Sequence, residues 1–148
     1  MPYQDIEESR MYRLAEEIAD EVWEIVSGWP DFAKDALGKQ LVRSVDSVGA
    51  NIAESAGRFH PRDVINFLYF ARGSIKESRW HLRRALKRDL IGQAQFDGLT
   101  TKLDQIAKEL NSYIGFQKTR IVKDTSVAYA VDPLQDTSLD EPTNQPAN

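Results

Sequence analysis

Cysteine is absent from the chain, histidine occurs only twice, and no long apolar run is present. Without cysteine the protein can form neither disulfides nor thiolate metal sites, so a reducing cytoplasm is the expected compartment. No window approaches the roughly 20 apolar residues that a membrane-spanning helix requires, and the first residues lack the basic and apolar regions of a secretion signal. These absences predict a soluble, cytoplasmic protein without a membrane partner.

The usual sequence signatures of enzymes are also missing. The chain has no glycine-rich phosphate loop and no nucleophile elbow. Glu77 and His81 do not have the Glu-x-x-His spacing that di-iron bundles use twice. We therefore expect no catalytic residue, no metal and no cofactor. His60 is predicted to be a loop or helix-cap residue, and His81 a surface or interface residue beside Trp80.

The net charge of −4 at neutral pH conceals a segregation of charge along the chain. Residues 1–33 hold two basic and nine acidic side chains, and residues 34–123 hold seventeen basic and nine acidic ones. Residues 124–148 hold five acidic side chains and no basic one. This order predicts pairing of acid with base inside the protein, a surface that binds polyanions, or both.

Apolar residues recur at spacings of three and four along four segments, as they do in amphipathic helices. Short loops join the segments, so the sequence predicts an all-α protein, an antiparallel up-and-down four-helix bundle over residues 1–123. Glycine is expected to close the first helix in the left-handed conformation and to cap the second. The first predicted helix ends near Gly28-Trp29-Pro30, the second begins between Asp31 and Lys39 and ends at Gly57, the third opens at His60-Pro61 and ends at Gly92, and the fourth covers Phe96 to Ile114.

The helical periodicity ends after Lys123. The remaining residues contain Pro133, Pro142 and Pro146 among acidic and uncharged polar side chains. Such a composition does not build a packed core, so residues 124–148 are predicted to form a disordered acidic tail.

The stretch from Ser47 to Gly57 places small and polar residues where an amphipathic helix should bury apolar ones, which predicts close packing by another element. Within it, the spacing puts Ser47, Asn51 and Glu54 on one helical face. One interpretation is a buried, hydrogen-bonded polar layer that sets the register of the helices. The other is a ligand site, or even an enzyme site, built on the same three residues.

A row of basic residues lies on one face of the third predicted helix. It consists of Arg72, Lys76, Arg83 and Lys87, with Arg79 close by. Such a row is a candidate nucleic-acid site that follows phosphates without reading the base sequence. The alternative is a solvated face whose cations pair with the acidic residues of the first helix.

Three aromatic residues exceed what one face of the third helix can bury. Phe67, Phe70 and Trp80 are therefore predicted to lie at an interface between subunits of a homo-oligomer. Two hypotheses about function follow from these patterns. The protein is either an oligomeric scaffold that binds a nucleic acid or a protein, or an interaction module whose basic row is neutralised internally.

The middle of the chain resembles a known family of small four-helix-bundle proteins, which are encoded in intervening sequences of bacterial large-subunit ribosomal RNA genes. The family also includes the accessory variability determinant of diversity-generating retroelements. The resemblance covers roughly residues 37–117, with Gly49 and Ser55 in place of a frequent proline and a frequent glycine. The matching residues are Ser47-Val-Gly, Asn51-Ile-Ala-Glu54, Gly57-Arg58, Phe67-Leu, Ala71-Arg-Gly-Ser74 and Glu77.

This resemblance implies an up-and-down four-helix bundle that assembles as a homopentameric, barrel-like ring. It also implies possible partners, because the retroelement accessory protein binds nucleic acid and a reverse transcriptase through a basic surface. RNA or DNA and a reverse transcriptase are therefore the expected partners of the basic row, if the function transfers with the fold.

Overall fold

Four long helices account for most of the computed structural model, which describes residues 5–130 and the side chains of residues 5–125. The predicted all-α bundle is thereby confirmed. A short 3-10 helix, Ile6–Glu8, precedes the first long helix. The four helices are α1 (Arg10–Ser27), α2 (Lys39–Ala56), α3 (Pro61–Lys87) and α4 (Gln93–Ala130).

Each helix packs against two others, and the contacts run from α1 to α2, α2 to α3, α3 to α4 and α4 back to α1. Consequently α1 and α3 lie diagonally across the bundle. The core is filled by the apolar stripes of all four helices, because burying these side chains is the main favourable term in folding. Its large and fully buried apolar members are Met11, Ile18, Leu41, Ile52, Leu68, Ile75, Leu82, Leu99, Leu103, Ile106 and Leu110.

The end of α1 differs from the prediction. Gly28 is the C-terminal cap, but its φ of −88° lies in the right-handed region. The chain leaves the helix through a tight right-handed turn, in which the Trp29 N–H donates to Val26 O at 3.0 Å and the Trp29 side chain is buried. Gly57 caps α2 as predicted, with a φ of −80°. Neither glycine needs the left-handed conformation.

The left-handed cap occurs instead at the end of α3. This helix ends at Lys87, before the predicted Gly92, and Asp89 has a φ of 58°. The Leu90 N–H donates to Ala85 O at 2.9 Å, and the Asp89 N–H donates to Leu86 O at 3.1 Å. These two bonds form a Schellman motif, in which a short polar side chain is tolerated where glycine is usual.

A π-helical segment leads into α2. One α-helical turn, Asp31–Ala33, continues through Lys34–Gly38 in π geometry, so the helix begins within the predicted interval. Gly38 is buried here, and a Cβ at this position would lie 2.6 Å from Val26 Cγ1 and 3.4 Å from Trp29 Cε3. The close approach of α1 to the π segment therefore requires glycine.

The last helix is longer than the periodicity predicts. It continues to Ala130, so the predicted boundary at residue 123 is too early and residues 124–130 belong to α4. This segment holds only one acidic side chain, Asp124, and no proline, and the helix propagates into it from a packed stem. The rest of the predicted tail, residues 131–148, lies outside the described residues.

Replacing Gly38 by alanine should reduce the free energy of unfolding by about 1–3 kcal/mol, because the added methyl group overpacks the contact with Val26. The matched control is Gly98→Ala in α4, where an added Cβ meets nothing within 4 Å. The control should gain up to about 1 kcal/mol from helix propensity. Urea unfolding measures both, and equal effects of the two substitutions would contradict the packing argument.

Candidate interaction surfaces

The outer side of α3 carries aromatic side chains that the bundle leaves uncovered. Phe70 is 52% exposed and Trp80 is 59% exposed, and Tyr69 lies on the same side of the helix. Phe67 is half-buried, and its ring packs edge-on against Phe70 with a centroid distance of 5.6 Å. Of the three predicted interface aromatics, Phe70 and Trp80 are exposed on α3 and Phe67 packs against Phe70.

The predicted basic row lies beside these aromatics, but the structure divides it. Arg79 pairs with Asp104 of α4, so its charge is largely neutralised. The Arg72 guanidinium lies 4.6 Å from the centroid of the Tyr69 ring, a cation–π contact. Three other members, Lys76, Arg83 and Lys87, form no salt bridge with any described residue.

Acidic residues of α1 do not neutralise the row, because α1 and α3 are diagonal neighbours. The ion pairs of α1 go to α4 instead. Lys102 Nζ lies 2.6 Å from Glu21 Oε2, and Arg10 Nε lies 3.9 Å from Glu109 Oε1. The uncovered surface of α3 is named here the basic-aromatic face, and it comprises Tyr69, Phe70, Arg72, Lys76, Trp80, Arg83 and Lys87.

The predicted polar layer of α2 is not a buried layer. The Ser47 hydroxyl donates to Arg43 O at 2.7 Å, and the Asn51 amide donates to Ser47 O at 2.9 Å. Glu54 is exposed and pairs with Arg58 one turn later. The hydrogen bonds and the ion pair of these side chains stay within their own helical segment, on the solvent edge of the core stripe. The interpretation as a buried register layer is therefore wrong.

Two serine side chains provide a polar contact between α2 and α3. Ser78 Oγ lies 3.1 Å from Ser44 Oγ, and both side chains are buried. His81 is also buried, which corrects its predicted surface position, and its Nε2 lies 3.4 Å from Glu77 Oε1. Because residues three apart lie on the same side of a helix, the position of His81 three residues after Ser78 places it at the edge of the buried stripe. His60 is exposed and directly precedes α3 without a side-chain capping bond.

A second surface is a shallow groove of about 270 Å³ between α1 and α2. Its floor is made of small residues, and an added Cβ at Gly49 would lie 3.5 Å from Ala15 Cβ. The predicted close packing along this stretch of α2 is made in part by α1 at Ala15, whereas Ala50 and Ala53 stay exposed. This acidic groove is lined by Tyr12, Ala15, Glu16, Ala19, Asp46, Gly49, Ala50 and Ala53.

Negative charge accumulates at the acidic groove. Desolvation of its carboxyl group, and next the charge of Asp20 on α1, raise the pKa of Asp46 above its usual value. Desolvation first and the charge of Glu16 second raise the pKa of Tyr12. None of Glu16, Asp20 and Asp46 forms a salt bridge within the described part of the chain. The groove therefore presents unneutralised carboxylates around an apolar floor.

No described helix has the length and apolar character needed to cross a membrane. No three or more histidine, aspartate or glutamate side chains among residues 5–125 are grouped so that they could hold a metal ion.

A four-helix bundle with two exposed surfaces of opposite charge is the class of protein that the structure defines. Residues 7–112 match the family model described as 23S rRNA-intervening sequence protein, which covers the bundle from the 3-10 helix to the middle of α4. The chain therefore belongs to this family. The family resemblance of the segment from Ser47 to Glu77 is confirmed by this match.

One solved structure supports the same assignment. It is a protein of unknown function from the S23 ribosomal protein family of Bacteroides thetaiotaomicron. The two chains are 25% identical, with a TM-score of 0.63 over 70% of this chain and 97% of the other. A comparison with curated proteins gave no significant match.

Replacing Asp46 by asparagine should stabilise the isolated chain at neutral pH. Its raised pKa means that the folded chain holds the proton more tightly than the unfolded one, so ionisation lowers the free energy of unfolding as the pH rises above the usual value of 3.8. Asp46→Asn removes this loss, and the variant should match the wild type at about pH 3, where the carboxyl is protonated.

Asp35→Asn is the control, and its effect on the free energy of unfolding should have the opposite sign. A hydrogen bond from Lys39 Nζ at 2.8 Å, and next the charge of Lys39, lower the pKa of Asp35. Ionised Asp35 adds to the free energy of unfolding above pH 3.8, and this addition is lost as the pH falls through the lowered pKa. Asp35→Asn should therefore destabilise the chain at neutral pH only. Urea unfolding of dilute protein at the two pH values measures both variants. Shifts of the same sign would contradict the electrostatic account of Asp46.

Proposed function

We propose that the protein is a non-enzymatic, homo-oligomeric binding scaffold. The observation that carries this proposal is the basic-aromatic face, where Phe70 and Trp80 are more than half exposed and Tyr69 lies beside them. Large apolar side chains clustered on a soluble bundle usually mark a surface that another molecule covers. The family resemblance supports a second copy of the chain as that molecule and a ring of five subunits as the assembly.

A binding role is also supported by the bonding of the polar residues of α2. An enzyme site on Ser47, Asn51 and Glu54 would need donors and acceptors that are free for a substrate. The Ser47 hydroxyl and the Asn51 amide instead donate to backbone carbonyls, and Glu54 is occupied by Arg58. The geometry therefore favours a scaffold over a catalyst.

Nucleic-acid binding is the second candidate function. It is favoured by Lys76, Arg83 and Lys87, whose charges lack a partner among the described residues, and by the exposed rings of Tyr69 and Trp80 beside them. Cations that follow phosphates and aromatic rings that stack on bases are the elements of single-strand binding. A role as the accessory protein of a retroelement reverse transcriptase is the finer form of this candidate, and it is supported by the family resemblance alone.

Light scattering tests the scaffold. The wild type should elute as a particle several times heavier than its 16.8 kDa chain at micromolar concentration. Phe70→Asp should dissociate that particle while circular dichroism shows unchanged helicity, because the side chain is half exposed in the single chain. Phe32→Asp is the control, since Phe32 is 83% exposed and lies far from the basic-aromatic face in sequence. A monomeric wild type would overturn the proposal.

Fluorescence anisotropy tests the second candidate. Three unpaired cations that neutralise three phosphates predict a slope of about −2 to −3 for log affinity against log salt, with little sequence preference. Lys76→Glu combined with Arg83→Glu should weaken binding and flatten the slope. Arg43→Glu with Lys118→Glu is the control, because it makes the same charge change at exposed cations that lie outside this face and form no salt bridge with any described residue. No binding in about 50 mM salt, or equal binding by both double variants, would remove nucleic acid as a partner of this face.

A further inference from the structure

The acidic groove and the basic-aromatic face point in different directions on one chain. The groove is formed by α1 and α2, whereas the face lies on the outer side of α3, which is diagonal to α1. The two surfaces therefore cannot meet within one chain. They can meet only between two molecules.

Their charges are complementary and unsatisfied. The acidic groove has Glu16 and Asp46 in its lining, with Asp20 close enough to raise the pKa of Asp46. The basic-aromatic face carries the cations Lys76 and Arg83. None of these five side chains is in a salt bridge within residues 5–125. Juxtaposing the two surfaces would bring the two cations next to the three carboxylates, and such charge complementarity is usual at specific interfaces.

The shapes are complementary as well. The floor of the acidic groove consists of small residues such as Ala50 and Ala53, so it leaves room for bulky side chains. The basic-aromatic face projects Trp80, which is 59% exposed and needs such room. Two turns before it, Gly73 lies in the middle of α3 and would have nothing within 4 Å of an added Cβ. No contact within the described part of the chain requires this glycine, although it costs helix stability, and close approach of another backbone would explain it.

We infer that the basic-aromatic face of one copy docks into the acidic groove of a second copy, in a head-to-tail arrangement. This inference rests on the proposed homo-oligomer and names its interface. Because the two contacting surfaces differ, the contact repeats from copy to copy and closes into a ring when the rotation allows it. A symmetric pairing of two basic-aromatic faces would place Lys76 and Arg83 opposite like charges, which is repulsive.

The interface also gives a physical role to the crowded carboxylates. A cation from the neighbouring copy would lower the pKa of Asp46 again, because an opposite charge favours the ionised form. The repulsion between Asp46 and Asp20 in the isolated chain is then relieved by assembly. Residues that weaken the single chain thereby favour association.

Two variants that each remove one surface provide the test. Ala50→Arg fills the acidic groove, and Trp80→Glu removes the central ring of the basic-aromatic face. Both positions are exposed, so helicity should be preserved in each. Each variant alone should run at the mass of one chain, 16.8 kDa. Mixed in equal amounts over a rising concentration series, the variants should form a dimer and nothing larger, because only one intact groove and one intact face remain per pair.

The controls are Ala94→Arg and Phe32→Glu, which make the same changes at exposed positions elsewhere. Both should assemble like the wild type. A second measurement uses charge reversal: Glu16→Lys with Asp46→Lys should abolish assembly, and adding Lys76→Glu and Arg83→Glu in the same chain should restore it. This rescue does not depend on whether Ala50→Arg folds.

Different failures are distinguishable. If the wild type is a monomer, both the proposed scaffold and this interface are overturned. If the wild type assembles and Ala50→Arg assembles equally well, the head-to-tail interface is wrong while the scaffold stands. If Trp80→Glu assembles normally but loses nucleic-acid binding, the basic-aromatic face belongs to nucleic acid and the inference is wrong. Absence of a mixed dimer likewise overturns it.

Discussion

The close packing of α2 against α3 is the constraint on which the other surfaces depend. Small hydroxyl side chains permit it, because Ser44 Oγ and Ser78 Oγ lie only 3.1 Å apart in the core. Each also lies within hydrogen-bond distance of a carbonyl in its own helix, at 3.0 Å from Leu41 O and 2.8 Å from Ser74 O. Buried hydroxyl groups with such partners carry little penalty. The large rings of Phe70 and Trp80 lie on another, exposed side of α3.

The cyclic order of the helices decides which charges meet. The acidic helix α1 borders α2 and α4, so its ion pairs with the basic middle of the chain are made to α4, as Glu21 shows with Lys102. Helix α3 finds its acid on α4 as well, as Arg79 shows with Asp104. Other charged side chains on the outer sides of α1 and α3, such as Glu16 and Lys76, have no ion-pair partner among residues 5–125. The segregation along the sequence thus becomes a separation in space.

Several features of the bundle cost stability in the single chain. Asp46 is crowded by Asp20, Gly73 weakens the middle of α3, and Trp80 is 59% exposed although the Arg84 guanidinium lies 4.9 Å from its ring centroid. In natural proteins, residues that lower the stability of the single chain are concentrated at functional surfaces. These residues lie on both the acidic groove and the basic-aromatic face, as expected if the two surfaces contact each other between copies of the chain.

The sequence by itself determined the number of helices, the start of α3 at Pro61 and the family, because periodicity, proline and local motifs act over a few residues. It also indicated the close-packing stretch that includes Gly49. Only the tertiary structure decided that His81 is buried, that Glu54 is exposed and that Arg79 is neutralised by Asp104. Helical spacing assigns a residue to one side of its helix. Which neighbour covers that side depends on the order of the helices around the core, and this order is set by packing of the whole bundle.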